Sequence, residues 1–223
     1  MRKLTIHKAI RNSGFEIDTK RADKGTVNDQ KLENNIQRAR ARIFELAYCN
    51  PWELFVTLTI DPKRHNRHDL NKYMRNLSRW ITEYNRDYGQ NIKYLLIPEM
   101  HKDGAWHLHG FLMGLNHNLL VKNKNGYLDW LEYQKEFGWI SIDKIKNHEA
   151  VSKYVTKYIS KNLQDCVKQL HAHMYYCSKG LQRAVEIKRG TLSAYNVPWT
   201  FENDWIKCFW SKIPADVLEH LIV

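Results

Sequence analysis

The sequence predicts an α+β domain with helices packed on an antiparallel sheet. Three observations carry the prediction. The runs LFVTLTI (54–60), KYLLIPE (93–99), WHLHGFLMG (106–114) and WISID (139–143) are dense in β-branched and aromatic residues and read as strands. Between them, apolar residues recur at helical spacing. The two kinds of segment are mixed without a regular βαβ period, which disfavours a doubly wound parallel sheet.

Taken in order, residues 1–27 are polar and basic and are expected to form a loosely ordered arm. From Asp29, the positions Leu32, Ile36, Ala39, Ile43 and Leu46 predict a helix to about Tyr48, ended by Asn50-Pro51. Arg38, Arg40 and Arg42 ride on it, as a solvated face or as phosphate contacts. LFVTLTI follows as a buried strand stopped by Asp61-Pro62. Leu70, Tyr73, Met74, Leu77, Ile81, Tyr84 and Tyr88 stripe a second helix, with Asp69 as N-cap and Gly89 as stop. KYLLIPE and WHLHGFLMG form a hairpin. A polar loop, a short helix over 130–137 and the strand WISID come next. Asn147 can cap a helix from about His148 to Leu163, and HMYYCSKGL with RAVEIKRG reads as a further hairpin. The expected division is an arm (1–27), a main domain (28–195) and a tail (196–223) packing back on it. Trp106 and Trp139 are read as core, Trp205 and Trp210 as tail packing, and Tyr175 and Tyr176 as structural.

Composition narrows the function. The 223 residues carry 35 Lys and Arg against 24 Asp and Glu, a net charge of +11. A surplus of that size fits a polyanionic partner, because neutralising phosphates releases counterions. Four scattered cysteines without a CxxC pair argue against a zinc ribbon or a disulfide framework and suit a reducing cytoplasm. No apolar run approaches a membrane span and no signal-peptide pattern is found, so a cytoplasmic protein without membrane partners is expected.

The stretch EMHKDGAWHLHG (99–110) carries the sharpest chemistry. Alternate residues of a strand share a face, so His107 and His109 project together. Whether Glu99 joins them depends on the turn. A two-residue Asp103-Gly104 turn would put Glu99 opposite Leu108. A three-residue loop, Lys102-Asp103-Gly104 with Gly104 left-handed, puts Glu99 opposite His107, and this second register is expected. A set of two histidines and a carboxylate suits Mg²⁺ or Mn²⁺ acting on phosphate oxygens. His101 ranks second as a ligand.

VSKYVTKYISK (151–161) repeats Tyr-x-x-Lys: Tyr154 with Lys157, and Tyr158 with Lys161. Tyrosines four apart share a helix face. A phenol is a weak nucleophile near neutral pH unless a cation and a polarised phosphate assist it. Alone, this segment also reads as an ordinary core stripe. Beside a metal site on a basic chain, it supplies the parts for cutting DNA through a phosphotyrosine.

On these residues the sequence resembles the HUH (His-hydrophobic-His) endonuclease superfamily, in particular rolling-circle replication initiators of small phages, plasmids and single-stranded DNA viruses. FVTLTI (55–60), Glu99 with HLH (107–109), and VSKYVTKYISK are similar to that family's three motifs, in its order. The resemblance implies a central antiparallel sheet carrying the His-x-His strand, flanked by helices that include the tyrosine helix. It implies Tyr154 as nucleophile, Tyr158 as a second one, and Lys157 and Lys161 beside them. Glu99, His107 and His109 would bind metal, and Arg38, Arg40, Arg42 and Lys153 would contact DNA. Expected partners are single-stranded origin DNA, a host polymerase and, since no GxxxxGK[ST] loop is found, a separate helicase. Oligomeric state stays open. A relaxase or single-strand transposase would share the chemistry, and a non-catalytic DNA- or RNA-binding regulator would lack it.

Overall fold

Alternation of apolar and polar residues governs the sheet. In the computed structural model, which describes residues 2–7, 29–147, 150, 173–193, 197–202, 206–211 and 222, the elements run in this order. They are β1 (Arg2–His7), α1 (Asp29–Cys49), β2 (Leu54–Thr59), α2 (Leu70–Tyr88), β3 (Lys93–Met100) and β4 (Trp106–Met113). After a short 3₁₀ turn (His117–Leu119) come β5 (Leu120–Lys122), β6 (Leu128–Trp130), α3 (Leu131–Phe137), β7 (Ile140–Lys144), β8 (Tyr176–Cys177), β9 (Phe201–Glu202) and β10 (Ile206–Ser211). The expected α+β class with a large antiparallel sheet is what the chain adopts. The chain divides into two compact units, Ala22–Ala184 and Met1–Arg21 with Val185–Val223.

The larger unit holds a seven-stranded sheet in the order β5-β6-β7-β2-β4-β3-β8, antiparallel at each junction. Leu54, Val56 and Leu58 of β2, Leu96 of β3, Leu108 and Leu112 of β4, and Ile140 and Ile142 of β7 point to one face. There they pack on the α2 stripe of Leu70, Tyr73, Met74, Leu77, Ile81 and Tyr84 and on Trp130, Tyr133 and Phe137. Each such aliphatic side chain contributes about 1.5–3 kcal/mol by leaving water. The α2 boundaries follow their signals. Asp69 Oδ1 accepts from the Lys72 N–H at 3.0 Å, and Gly89 ends the helix left-handed at φ 61°.

On the opposite face, Ile43, Leu46 and Ala47 of α1 cover Leu95, Ile97 and Phe111, with Phe55 and Met113 at the margin. Asn50, a buried polar residue just past α1, is fully engaged: its amide donates to the carbonyls of Leu46 (2.8 Å) and Gln182 (3.0 Å) and accepts from Gln182 N–H (2.7 Å).

Two local expectations differ. HMYYCSKGL does not pair with RAVEIKRG: Tyr176 and Cys177 pair instead with Leu96 and Leu95 of β3. A free edge on a long strand outcompetes a local turn, because β3 already presents an unpaired row of backbone groups. In the smaller unit, Arg2–His7 is a strand rather than part of an arm, paired residue for residue with Ser211–Ile206 of β10. The tail residues Phe201–Glu202 and Ile206–Ser211 are strands of that same sheet. No helix of the described residues is long and apolar enough to cross a membrane.

Candidate functional site

Register builds the site. His101 N–H donates to Ala105 O and Gly104 N–H to His101 O, both at 2.9 Å, which closes the three-residue loop Lys102-Asp103-Gly104. Gly104 has φ 79°, the left-handed conformation that such a bulge requires and that glycine reaches without strain. Glu99 consequently faces His107 across the β3–β4 pair. The tip is braced from outside. Asp103 accepts from Arg67 (2.7 Å) and from Ala105 N–H (3.1 Å), and His68 Nδ1 donates to Gly104 O at 2.9 Å.

Glu99, His107 and His109 share the face on which α1 lies, beyond the part that α1 packs on. The carboxylate does not meet the histidine opposite it. Glu99 Oε2 lies 2.6 Å from Nε2 of His109, the diagonal neighbour, within reach of a long side chain. The His107 ring stacks on His101, with centroids 3.8 Å apart and planes 11° from parallel. The structure thus brings two of the three expected ligands into contact and sets the third on the same face. Among the described residues no three His, Cys, Asp or Glu side chains form a ready-made metal cage.

Two residues outside the motifs hold the rings. β2 lies on the other side of β4, with Thr57 opposite His109 and Thr59 opposite His107. Their hydroxyls contact the Nδ1 atoms at 3.0 and 3.2 Å respectively. The sequence does carry a signal: two threonines spaced by two inside an apolar strand, the same period as the histidines. Its meaning requires the pairing partner.

Burial lowers the pKa of His109, against the opposing pull of Glu99. Burial also lowers that of His107, helped by the neighbouring His101 and His109. Both rings are therefore held toward the neutral form, the form that ligates metal. With a carboxylate accepting at Nε2, the His109 proton sits on that nitrogen and the Thr57 hydroxyl donates to Nδ1. A hydroxyl can also accept, so Thr57 serves either tautomer. Two neutral imidazoles and a carboxylate on one face, with both Nδ1 atoms anchored, fit a divalent ion in donor chemistry.

Of the remaining sites expected from the sequence, Arg38 is exposed on α1, Arg40 is half-buried, and Arg42 donates to Glu45 at 2.8 Å. Lys153, Tyr154, Lys157, Tyr158 and Lys161 lie outside the described residues. Tyr176 bonds to Asn71 Oδ1 and Tyr175 packs beside the α1 cluster. Trp106 is core at 2% exposure, whereas Trp139, expected in the core, is 54% exposed. By alternation it faces away from the side that buries Ile140 and Ile142, so the core has no place for it.

Residues 53–163 match the family model of the ORF2-type replication-associated proteins. The matched span opens just before β2, contains Thr57, Thr59, Glu99, His107 and His109, and runs through Tyr154 and Tyr158. It supports a replication initiator-like protein that acts with DNA. No curated protein and no solved structure matches the chain.

Proposed function

We propose that the chain initiates replication by nicking and rejoining single-stranded origin DNA, with Tyr154 as the nucleophile. The observation that carries this reading is the contact between Glu99 and His109 on one sheet face, with His107 beside them and a threonine hydroxyl on each ring. The replication-associated match supports it, since that span also includes both Tyr-x-x-Lys repeats.

In this reading the Tyr154 phenolic oxygen attacks the scissile phosphorus and the bond to the 3′-oxygen breaks. The products are a 5′-phosphotyrosine and a 3′-OH for a polymerase. Lys157 favours the phenolate by its charge, Tyr158 makes the second attack that rejoins the DNA, and Lys161 stands beside it. Glu99, His107 and His109 would hold Mg²⁺ or Mn²⁺, which supplies electrostatic stabilisation to the charged phosphate oxygens. Thr57 and Thr59 fix the ring orientations. Arg38, Arg40, Arg42 and Lys153 contribute phosphate contacts, and a host helicase opens the duplex.

The deciding experiment incubates the protein with a labelled single-stranded oligonucleotide and Mn²⁺, then denatures it. A denaturation-resistant adduct that disappears with chelator and in Tyr154→Phe is the expected result. Binding without an adduct, unchanged in Tyr154→Phe, would instead indicate a non-catalytic binding protein.

A further inference from the structure

Trp139 stands at an unusual place for an exposed indole. Its carbonyl accepts the Thr59 N–H at 2.9 Å, which carries the β2–β7 register one residue past Leu58↔Ile140. One row across the sheet therefore reads Glu99, His107, Thr59, Trp139. Ile140 and Ile142 turn into the core, so Trp139 belongs to the histidine face. Two sheet spacings separate its strand from that of His107, about 10 Å.

Scattered exposed hydrophobic residues are ordinary and explain nothing by themselves. The backbone here, however, is constrained to place this one. Gly138 has φ 123°, and a Cβ there would lie 2.5 Å from Thr59 O and 2.6 Å from Asp61 N. A side chain at position 138 would push the β7 entry off β2 and carry the indole away from the histidine row.

Cations adjoin it. Asp61 N–H donates to Phe137 O at 2.9 Å, and Lys63 and Arg64, both exposed, follow directly in that loop. An open aromatic ring next to cations, on a chain of net charge +11, has the two elements that grip an unpaired nucleotide. The ring takes the base face and the cations take the phosphates. Duplex DNA offers no free base face at such a ring.

Resting on the single-stranded DNA reading above, we propose that Trp139 is a stacking platform for an unpaired base close to the reacting phosphate. Lys63 and Arg64 receive the flanking phosphates. The inference adds a specific nucleotide subsite to the metal and tyrosine machinery.

The test measures binding of a fluorescent single-stranded oligonucleotide by anisotropy, in chelator so that no cleavage intervenes. Trp139→Ala should weaken binding about tenfold or more, and Trp139→Phe, which keeps a ring, should retain most of it. In Trp139→Ala the slope of log affinity against log salt stays that of the parent. In Lys63→Ala and in Arg64→Ala the slope falls by roughly 0.7 each. Affinity unchanged in Trp139→Ala, or weakened equally by Ala and Phe, overturns the platform while leaving the DNA reading intact. A parent protein that binds no oligonucleotide overturns both.

Discussion

The two faces of the central sheet are made by the same strands and could hardly differ more. Leu54, Val56, Leu58, Leu96, Leu108 and Leu112 form an unbroken apolar layer under α2. One residue away in each strand lie Thr57, Thr59, Glu99, His107 and His109, half-exposed and bonded to one another. Their face is apolar only where α1 covers Leu95, Ile97 and Phe111. Period-2 geometry lets β2, β3 and β4 serve as core and site together. A rigid packed layer thus backs polar groups that need fixed positions.

The contrast can be broken from its apolar side first. Leu108 is fully buried between the two histidines in sequence, on the reverse face. Leu108→Ala should lower unfolding free energy by about 2–5 kcal/mol, read from urea midpoints. A loss under about 1 kcal/mol would mean that this layer is not the tightly packed one described.

Thr57→Val probes the polar side with little change of volume. Removing the hydroxyl from His109 Nδ1 should cost about 0.5–1.5 kcal/mol of stability. Metal-dependent nicking should fall about ten- to a hundred-fold. Thr57→Ser, which keeps the hydroxyl, should restore both. Equal loss in Val and Ser would assign the effect to packing instead.

The smallest effect is a pH slope. Both histidines have folded pKa values below the ordinary 6.5, chiefly through burial. As pH drops beneath 6.5, the unfolded chain takes up protons that the folded chain refuses, so stability falls in that window. Urea midpoints at pH 7.5 and 5.5 should differ, and less so in His109→Gln. An identical difference in the variant would show that the titrating groups lie elsewhere.

Legibility in the sequence followed locality. The α2 boundaries were readable from Asp69 and Gly89, and the Glu99–His107 register from Lys102-Asp103-Gly104, because each signal acts within a few residues. The diagonal reach of Glu99 to His109 was not, since register fixes which backbones face each other and leaves rotamers open. Thr57 and Thr59 acquired a role only through β4, some fifty residues on. The pairing of Arg2–His7 with Ile206–Ser211 joins distant parts of the chain that carry no mutual mark. Trp139 is a different case. In WISID the alternation already set it with Ser141 and Asp143, against Ile140 and Ile142, and the preference of tryptophan for burial obscured that pattern.

The outermost members of the seven-stranded sheet are its shortest ones, three residues in β5 and two in β8. Long, sticky β2, β3 and β4 are thereby kept inside, and little backbone is left at either margin to recruit a neighbouring molecule into a fibril. The sheet of the larger unit thus carries its own guard against aggregation at high local concentration.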